Sequence, residues 1–302
     1  MLSELAYLDW RGVLVKTVLY LTVLLVTFLI CFPLIWSLST SLKPPEEIFA
    51  TPPRLIPQSY TLEHYEALLY GKPMYYQADA EYQADTSPTQ HFISWFINSV
   101  LASGGATLIS ITISTLAAYS LTRFRYWGRE VIPYLSLLGY MMPPIVLVFP
   151  LFLLVVDLNL ANSLWSLVLG YVAITLPFCT WLMWAFFRGL PVEIEEAGLI
   201  DGASRFQVFY QIVLPCALPG IIAAAIFSLI VAWNDYLFAR IFINSVQKLP
   251  LTVGVMHFFE GVHVNWGLMM ASAVLMTLPL AVLFMLFQRQ LVAGFGAGAI
   301  KG

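Results

Sequence analysis

Six long apolar runs constrain the fold of this chain more than any other feature of its sequence. A helix that crosses the hydrocarbon core of a bilayer needs about 20 mostly apolar residues. Alternating segments of about ten residues, typical of an outer-membrane barrel, are absent from the sequence. Only 10% of the 302 residues are charged, against about 25% in a soluble domain. We therefore predict an all-α, polytopic membrane protein with one domain over residues 1–302 and six transmembrane helices at 13–39, 92–121, 131–156, 164–187, 219–243 and 267–287.

Lysine and arginine are unequally divided between the two sides of the predicted membrane. Cytoplasmic loops carry an excess of these residues. The side that holds both termini has nine of them, and the other side has four or five. The single loop sequence TRFRYWGRE contributes three arginines. We therefore predict that both termini and a loop at 188–218 are cytoplasmic, and that a long loop at 40–91 is external.

The predicted external loop combines three kinds of segment. It begins with the Pro-rich sequence SLKPPEEIFATPPRLIP, which indicates an extended chain. Leu62, Tyr65, Leu68 and Leu69 then follow the spacing of a short amphipathic helix. Residues 74–88 are rich in tyrosine and acidic side chains. The pattern fits either a docking surface for an external partner or a surface hairpin that is folded onto the helix ends.

The 188–218 loop is too long for a tight turn and too amphipathic for a simple linker. Pro191 suits the first turn of a helix, because the N–H that it lacks has no intrahelical partner there. Glu193, Glu195 and Glu196 follow in the first turns, where the helix dipole favours acids. Gly202 is placed to adopt the left-handed conformation that ends a helix and turns the chain.

A second short helix is predicted after this glycine. Ser204 is a suitable N-cap, and an apolar stripe follows at Phe206, Phe209, Tyr210 and Val213. Pro215 and Pro219 are expected to close the unit before the fifth span. A hairpin lying on lipid headgroups is the alternative, but such helices usually carry Lys and Arg on their polar face, whereas this one begins with acids.

Several segments of the chain carry recognisable motifs. The loop contains Glu196-Ala197-Gly198-x-x-Asp201-Gly202-Ala203, followed by Phe209, Ile212, Val213, Leu214, Pro215 and Pro219. Elsewhere the chain contains SLKPPEEIF, NSV near Asn98, AAYSLTRF, WNDYLFA and the terminal GAGAIKG. Together these segments resemble ABC importer permeases, most closely the maltose-permease type of the carbohydrate-uptake branch. Gly198 departs from the family, which usually has a second alanine, and we expect it to loosen its helix by up to about 1 kcal/mol. Residues 74–88 look like an insertion.

The resemblance implies a subunit of a prokaryotic inner-membrane importer rather than an enzyme. Such a permease pairs with a second permease, binds two ATPase subunits and receives its cargo from an external solute-binding protein. The chain has no GxxxxGK[ST] motif, so the partner ATPases would use the ATP and Mg, and this chain would hold no cofactor. Its expected surroundings are membrane lipid, and nothing in the sequence suggests nucleic-acid binding. The residues assigned to ATPase coupling are Glu195, Glu196, Ala197, Gly202, Ala203 and Asp201, the last as a hydrogen-bonded cap of the turn.

Trp233, Asn234, Asp235 and Tyr236 form the predicted substrate-path group in the outer half of the fifth span. Polar residues inside spans are costly and are therefore functional candidates, and amides, carboxylates and ring faces are the groups that hold sugars. A hydrogen bond between helices, or an ion pair of Asp235 with Arg240, is the structural alternative.

The expected cargo is a sugar or oligosaccharide, with a polyol or glycerol phosphate as the alternative. A secondary transporter is a less favoured class, because it would show an internal repeat and intramembrane ion-coordinating acids. An intramembrane enzyme would need a catalytic dyad or metal ligands within the spans. The spans contain neither, and the three cysteines lack metal-ligand spacing.

Overall fold

The computed structural model describes residues 10–73, 88–259 and 265–299, and within these ranges the chain is helical and contains no β-strand. An all-α fold follows from the apolar runs, because a helix satisfies every backbone hydrogen bond within its own segment. The helices are α1 Trp10–Ser41, α2 Pro45–Ile48, α3 Glu63–Tyr70, α4 Phe92–Arg123, α5 Ile132–Tyr140, α6 Pro144–Asp157, α7 Leu164–Arg188, α8 Glu193–Ile200, α9 Arg205–Val208, α10 Leu214–Trp233, α11 Leu237–Phe242, α12 Leu251–Gly254 and α13 Trp266–Ala299.

Five helical segments in the described ranges are long and apolar enough to cross a membrane by themselves, and they contain α1, α4, α7, α10 and α13. The third predicted span differs from the expected single helix at 131–156. It consists of α5 and α6, which are bent by 99° at the break between them. Pro143 and Pro144 explain the break, because proline lacks an N–H donor and disfavours helical geometry in the residue before it. Counting this bent pair as one span gives six.

The fifth span has different limits from those predicted. Its helix runs without interruption from α9 through a π-helical segment at Phe209–Val213 into α10. Pro215 lies in the first turn of α10 and Pro219 lies inside that helix. The prediction that these prolines separate the second loop helix from the span was therefore wrong. At the other end the helix stops at Trp233, and the chain breaks before α11 rather than continuing to residue 243.

The core is formed by α4, α7 and α10, which pack against one another. Buried hydroxyls join α4 to α7, since the Ser110 Oγ and the Thr175 Oγ1 are 2.9 Å apart. The bent pair packs on α7, and α13 packs on α10. α1 packs mainly on α13 and leaves most of its apolar surface exposed.

The loop between α1 and α4 folds onto the ends of the spans. The predicted amphipathic helix is α3, which buries His64, Ala67 and Leu68 and packs against α13 and α4. Leu62 and Leu69 were expected on the same apolar face but are exposed. The structure thus favours the hairpin interpretation for α3, and a docking role for the loop stays a prediction. Most of the Tyr-rich stretch, residues 74–87, lies outside the described residues.

Candidate functional site

The predicted helix and glycine turn of the 188–218 loop are present. α8 has Glu193, Glu195 and Glu196 in its first turn. Gly202 has a φ of +88°, which confirms the predicted left-handed turn. Its N–H donates to the Leu199 carbonyl at 3.1 Å, and the Ala203 N–H donates to the Gly198 carbonyl at 3.1 Å. This pair of bonds is the Schellman arrangement that satisfies the last carbonyls of a helix.

The backbone, rather than the Asp201 side chain, therefore ends α8. The Asp201 N–H donates to the Ala197 carbonyl at 3.0 Å. Asp201 itself is exposed, and its carboxylate makes no hydrogen bond to the described residues. The prediction that the Asp201 side chain caps the turn was therefore wrong, because the two Schellman bonds already close it.

The predicted N-cap of the second loop helix is confirmed as a capping box. The Gln207 N–H donates to the Ser204 Oγ at 3.3 Å, and the Ser204 N–H donates to the Gln207 Oε1 at 2.8 Å. Reciprocal bonds of this kind satisfy donors at a helix N-terminus that lack intrahelical partners. The helix direction after the glycine turn is therefore specified by local sequence.

Glu195 faces into the protein, although the sequence assigned it to ATPase coupling together with its neighbours. Its Oε1 accepts a hydrogen bond from the Arg123 Nε at 2.5 Å, and its Oε2 accepts one from the Tyr119 hydroxyl at 3.3 Å. The two charged side chains are only 10% and 7% exposed. A second nitrogen of Arg123 donates to the Leu190 carbonyl at 3.3 Å. The pair thus joins α8 to the end of α4 and to the chain that follows α7.

Glu196 and Ala197 lie on the opposite, exposed side of α8. The loop also exposes large apolar side chains: Ile200 is 85% exposed and Phe206 is 75% exposed. The Phe206 ring stacks on the Tyr210 ring with centroids 6.3 Å apart. Ala203 is half-buried against the apolar cluster beneath the loop. The exposed face of the loop is therefore apolar at its centre and acidic beside it.

Sequence reasoning used Arg123 only to orient the chain and did not assign Tyr119 any role. Both lie in AAYSLTRF, at the last turns of α4. Their link to Glu195 spans more than 70 positions in sequence, with separations of 72 and 76. A buried pair of this kind is specified by the tertiary structure, which brings the start of α8 to the end of α4. The one signal in the sequence was an arginine at a span end opposite a cluster of acids.

The predicted substrate-path group lies at the end of α10 and in the break before α11, rather than within a continuous span. Trp233 is buried, and its ring meets the Phe96 ring edge to face at 5.8 Å. Asn234 is exposed, and its Nδ2 donates to the Ile230 carbonyl at 2.9 Å. Tyr236 is exposed as well.

Asp235 acts as a cap within this break. Its carboxylate accepts hydrogen bonds from the Phe238 N–H at 3.4 Å and the Ala239 N–H at 3.1 Å, at the start of α11. The alternative of an Asp235–Arg240 ion pair is not seen, since the ion pairs among the described residues do not include either side chain. Exposed polar groups in this region thus come from Asn234 and Tyr236. The described residues contain no cluster of His, Cys, Asp and Glu suited to a metal ion.

Known proteins resemble this chain over nearly its whole length. The trehalose/maltose transport system permease protein MalG of Thermococcus litoralis is 34% identical over 292 residues, which is 96% of this chain and 98% of that protein. The inner membrane ABC transporter permease protein YcjP of Escherichia coli is 34% identical over 90% of this chain and 91% of its own. In fold, the chain matches a crystal structure of a bacterial ABC transporter involved in the import of alginate, with a TM-score of 0.75 and 19% identity over 94% of this chain and 98% of that one.

The family model for binding-protein-dependent transport system inner membrane components matches residues 110–296. This range contains α8, the glycine turn, the π-helical segment and α10. It also contains the substrate-path group and most of α13. The chain therefore belongs to the family of binding-protein-dependent transport system inner membrane components, the permease proteins of such transporters.

Proposed function

We propose that this chain is the permease subunit of an ATP-driven importer, and that with a second permease it forms the path for a sugar or oligosaccharide delivered by an external binding protein. Family membership supports the transport role. The names of relatives support the cargo class, since they include permeases for trehalose and maltose, diacetylchitobiose and galactooligosaccharides. The cargo of this chain is a carbohydrate under this proposal.

The exposed face of the 188–218 loop carries this proposal. Ile200, Phe206 and Tyr210 place large apolar side chains in solvent beside the acids Glu196 and Asp201. Exposed apolar patches rimmed by polar groups mark protein–protein contacts. We assign this face to an ATPase subunit, with one ATPase under each of the two permeases. ATP and Mg would bind to those subunits.

The proposed orientation places this loop and both termini in the cytoplasm. Arg125 and Arg129 lie in the connection between α4 and α5, and Arg123 joins the end of α4 to α8. An excess of arginine is expected on the cytoplasmic side of a membrane. The α3 end of the protein would then face the external binding protein.

The proposed cargo path passes the break after α10. Asn234 and Tyr236 present an amide and a phenol there, next to apolar helix surface. These groups suit a neutral, hydroxyl-rich solute, because they donate and accept hydrogen bonds without a fixed charge. Trp233 and Asp235 hold the break in place, because Trp233 packs on the Phe96 ring and Asp235 caps α11.

Purification of the complex from native membranes tests the proposal. The chain should co-purify with a second permease and two ATPase copies, and ATP hydrolysis should be stimulated by binding protein loaded with a sugar such as maltose or trehalose. Substitution Phe206→Asp should release the ATPases. Trp127→Asp is the matched control, because Trp127 is 99% exposed but lies outside the loop. Solute transport by this chain without any ATPase would overturn the proposal, and stimulation by polyol or glycerol phosphate alone would overturn the cargo class.

A further inference from the structure

Helix α8 is joined to α4 and to α10 by different kinds of contact. On the side of α4, the Arg123–Glu195 pair is joined by the Tyr119 hydroxyl and by the bond from Arg123 to the Leu190 carbonyl. Both charged groups are buried, and removing one partner of such a pair leaves the other charge uncompensated. This connection is therefore short, directional and costly to deform.

The connection from α8 to α10 has a different character. It passes through Gly202, where a β-carbon would meet nothing within 4 Å. It then passes through the π-helical segment Phe209–Val213 before α10 begins. Single-turn π segments inside α-helices are rare and frequently lie at functional sites. The contacts of α8 on this side are apolar, with Gly198 packed against Ile212 and Val208. The segment before α10 can therefore bend without breaking a buried polar contact.

Tyr119 connects the ion pair to the packing beneath the loop. Its ring lies 4.7 Å from the Phe209 ring and 6.2 Å from the Phe187 ring, measured between centroids. The same residue therefore touches the π-helical segment, the end of α7 and the carboxylate of Glu195. Movement of α8 as a unit with Glu195 would therefore reach the ends of α4 and α7 and the π-helical segment.

We propose that Arg123 and Glu195 are positioning residues that make α8 move as one body with α4, while the π-helical segment lets α8 move relative to α10. The inference rests on the proposed function, in which an ATPase moves α8. It separates the two neighbouring acids by role: the exposed Glu196 belongs to the surface that meets the ATPase, and the buried Glu195 passes the movement inward.

Distance measurements in the assembled transporter test this division. Spin labels are attached to cysteines at the exposed positions Glu193 in α8, Leu116 in α4 and Leu218 in α10. The three native cysteines are first replaced by alanine, and only labelled complexes that keep their ATPases are used. On addition of ATP, we expect the distance from 193 to 116 to stay constant and the distance from 193 to 218 to change. The reverse result would overturn the proposal.

Substitutions at the ion pair test its role in coupling. Glu195→Gln keeps the size of the side chain and removes its charge. We expect the complex to retain its ATPases, while the amount of solute transported per ATP hydrolysed falls about tenfold. The charge-swapped double variant Arg123→Glu with Glu195→Arg should recover most of this loss. Glu130→Gln, the same chemical change at an acid that is 81% exposed in the connection between α4 and α5, should leave the transport-to-hydrolysis ratio unchanged.

The outcomes separate this inference from the proposed function. If the parent complex contains no ATPase, the proposed function fails. If the parent complex is complete and Glu195→Gln transports with the parent's ratio, only the inference fails. Release of the ATPases by Glu195→Gln would also overturn it, because Glu195 would then act on the docking surface. Tyr119→Phe removes the hydrogen bond to Glu195 and keeps the ring. We expect it to reduce the transport-to-hydrolysis ratio less than Glu195→Gln does.

Discussion

Gly198 packs so closely on Ile212 that a β-carbon at position 198 would lie 2.6 Å from the Ile212 Cδ1. The same β-carbon would lie 3.2 Å from the Val208 Cγ2. Gly198, which departs from the family pattern, therefore does more than lower the helix propensity of α8. It lets α8 approach the helical segment that leads into α10, and Gly198 is buried as a result.

We expect Gly198→Ala to destabilise the loop in spite of alanine's higher helix propensity. Overpacking typically costs about 1–3 kcal/mol, while the propensity gain returns at most about 1 kcal/mol. Thermal unfolding of the purified complex measures the net effect. Ile212→Val removes the clashing methyl group, so the double variant should recover stability. Gly104→Ala is the control, because nothing lies within 4 Å of its β-carbon position. Equal stability of Gly198→Ala and the parent would contradict the packing argument.

Gly202 is required for its backbone conformation rather than for space. Its φ is +88°, and a β-carbon there meets no neighbour within 4 Å. Gly202→Val should cost about 1–2 kcal/mol, because a left-handed conformation brings the β-carbon close to the backbone. Gly202→Asn should cost less, since asparagine is enriched at positive φ. The expected result is weaker ATPase retention for valine than for asparagine, at unchanged membrane levels. Identical retention by the two variants would refute the conformational explanation.

His64 makes the stability of the α3 region sensitive to acid. Burial lowers the pKa of this imidazole, against the opposing effects of the Ser41 carbonyl, 3.2 Å from Nδ1, and the Glu63 charge. The neutral ring is favoured in the folded protein, so its contribution is complete above the unfolded-state pKa of about 6.5. That contribution is lost as the pH falls through the folded-state pKa. The melting temperature should therefore drop as the pH falls below about 6.5.

His64→Gln tests this assignment, because glutamine cannot titrate in this range. The variant should show a flatter dependence of melting temperature on pH than the parent. His91→Gln, at the end of the short helix before α4, should keep the parent's dependence. A parent-like slope in His64→Gln would assign the acid sensitivity to another group.

Asp235 and Asn234 are expected to separate stability from transport. Asp235→Ala removes two hydrogen bonds at the start of α11 and the partner of the buried Tyr171 hydroxyl, so it should cost about 1–3 kcal/mol. Asn234→Ala should leave the melting temperature close to that of the parent, because its amide is exposed. Uptake of sugar should then fall more in Asn234→Ala than its stability predicts. Normal uptake by Asn234→Ala would remove this residue from the cargo path.

Local sequence determined the elements whose cause is local. Gly202 adopts a left-handed conformation because it has no β-carbon. Ser204 and Gln207, only three positions apart in sequence, form the capping box that begins the next helix. The six apolar runs predicted the spans because hydrocarbon length alone sets their size. The adjacent prolines at 143 and 144 were visible too, but the direction and size of the bend at this point follow from how α5 packs on α7.

Tertiary packing decided what each polar residue does. Glu195 and Glu196 are the same amino acid in adjacent positions, yet the first is buried on Arg123 and the second is exposed. Likewise, Asp235 reads as a polar residue inside a span, but the helix stops before it and its carboxylate caps α11. Sequence periodicity indicates which residues share a helix face. It does not identify the residues that this face packs against, because they lie tens of positions away along the chain. The apolar runs were thus sufficient for the fold class and the loop motif for the family, and the division of roles within the loop came only from the close approach of α4, α8 and the segment before α10.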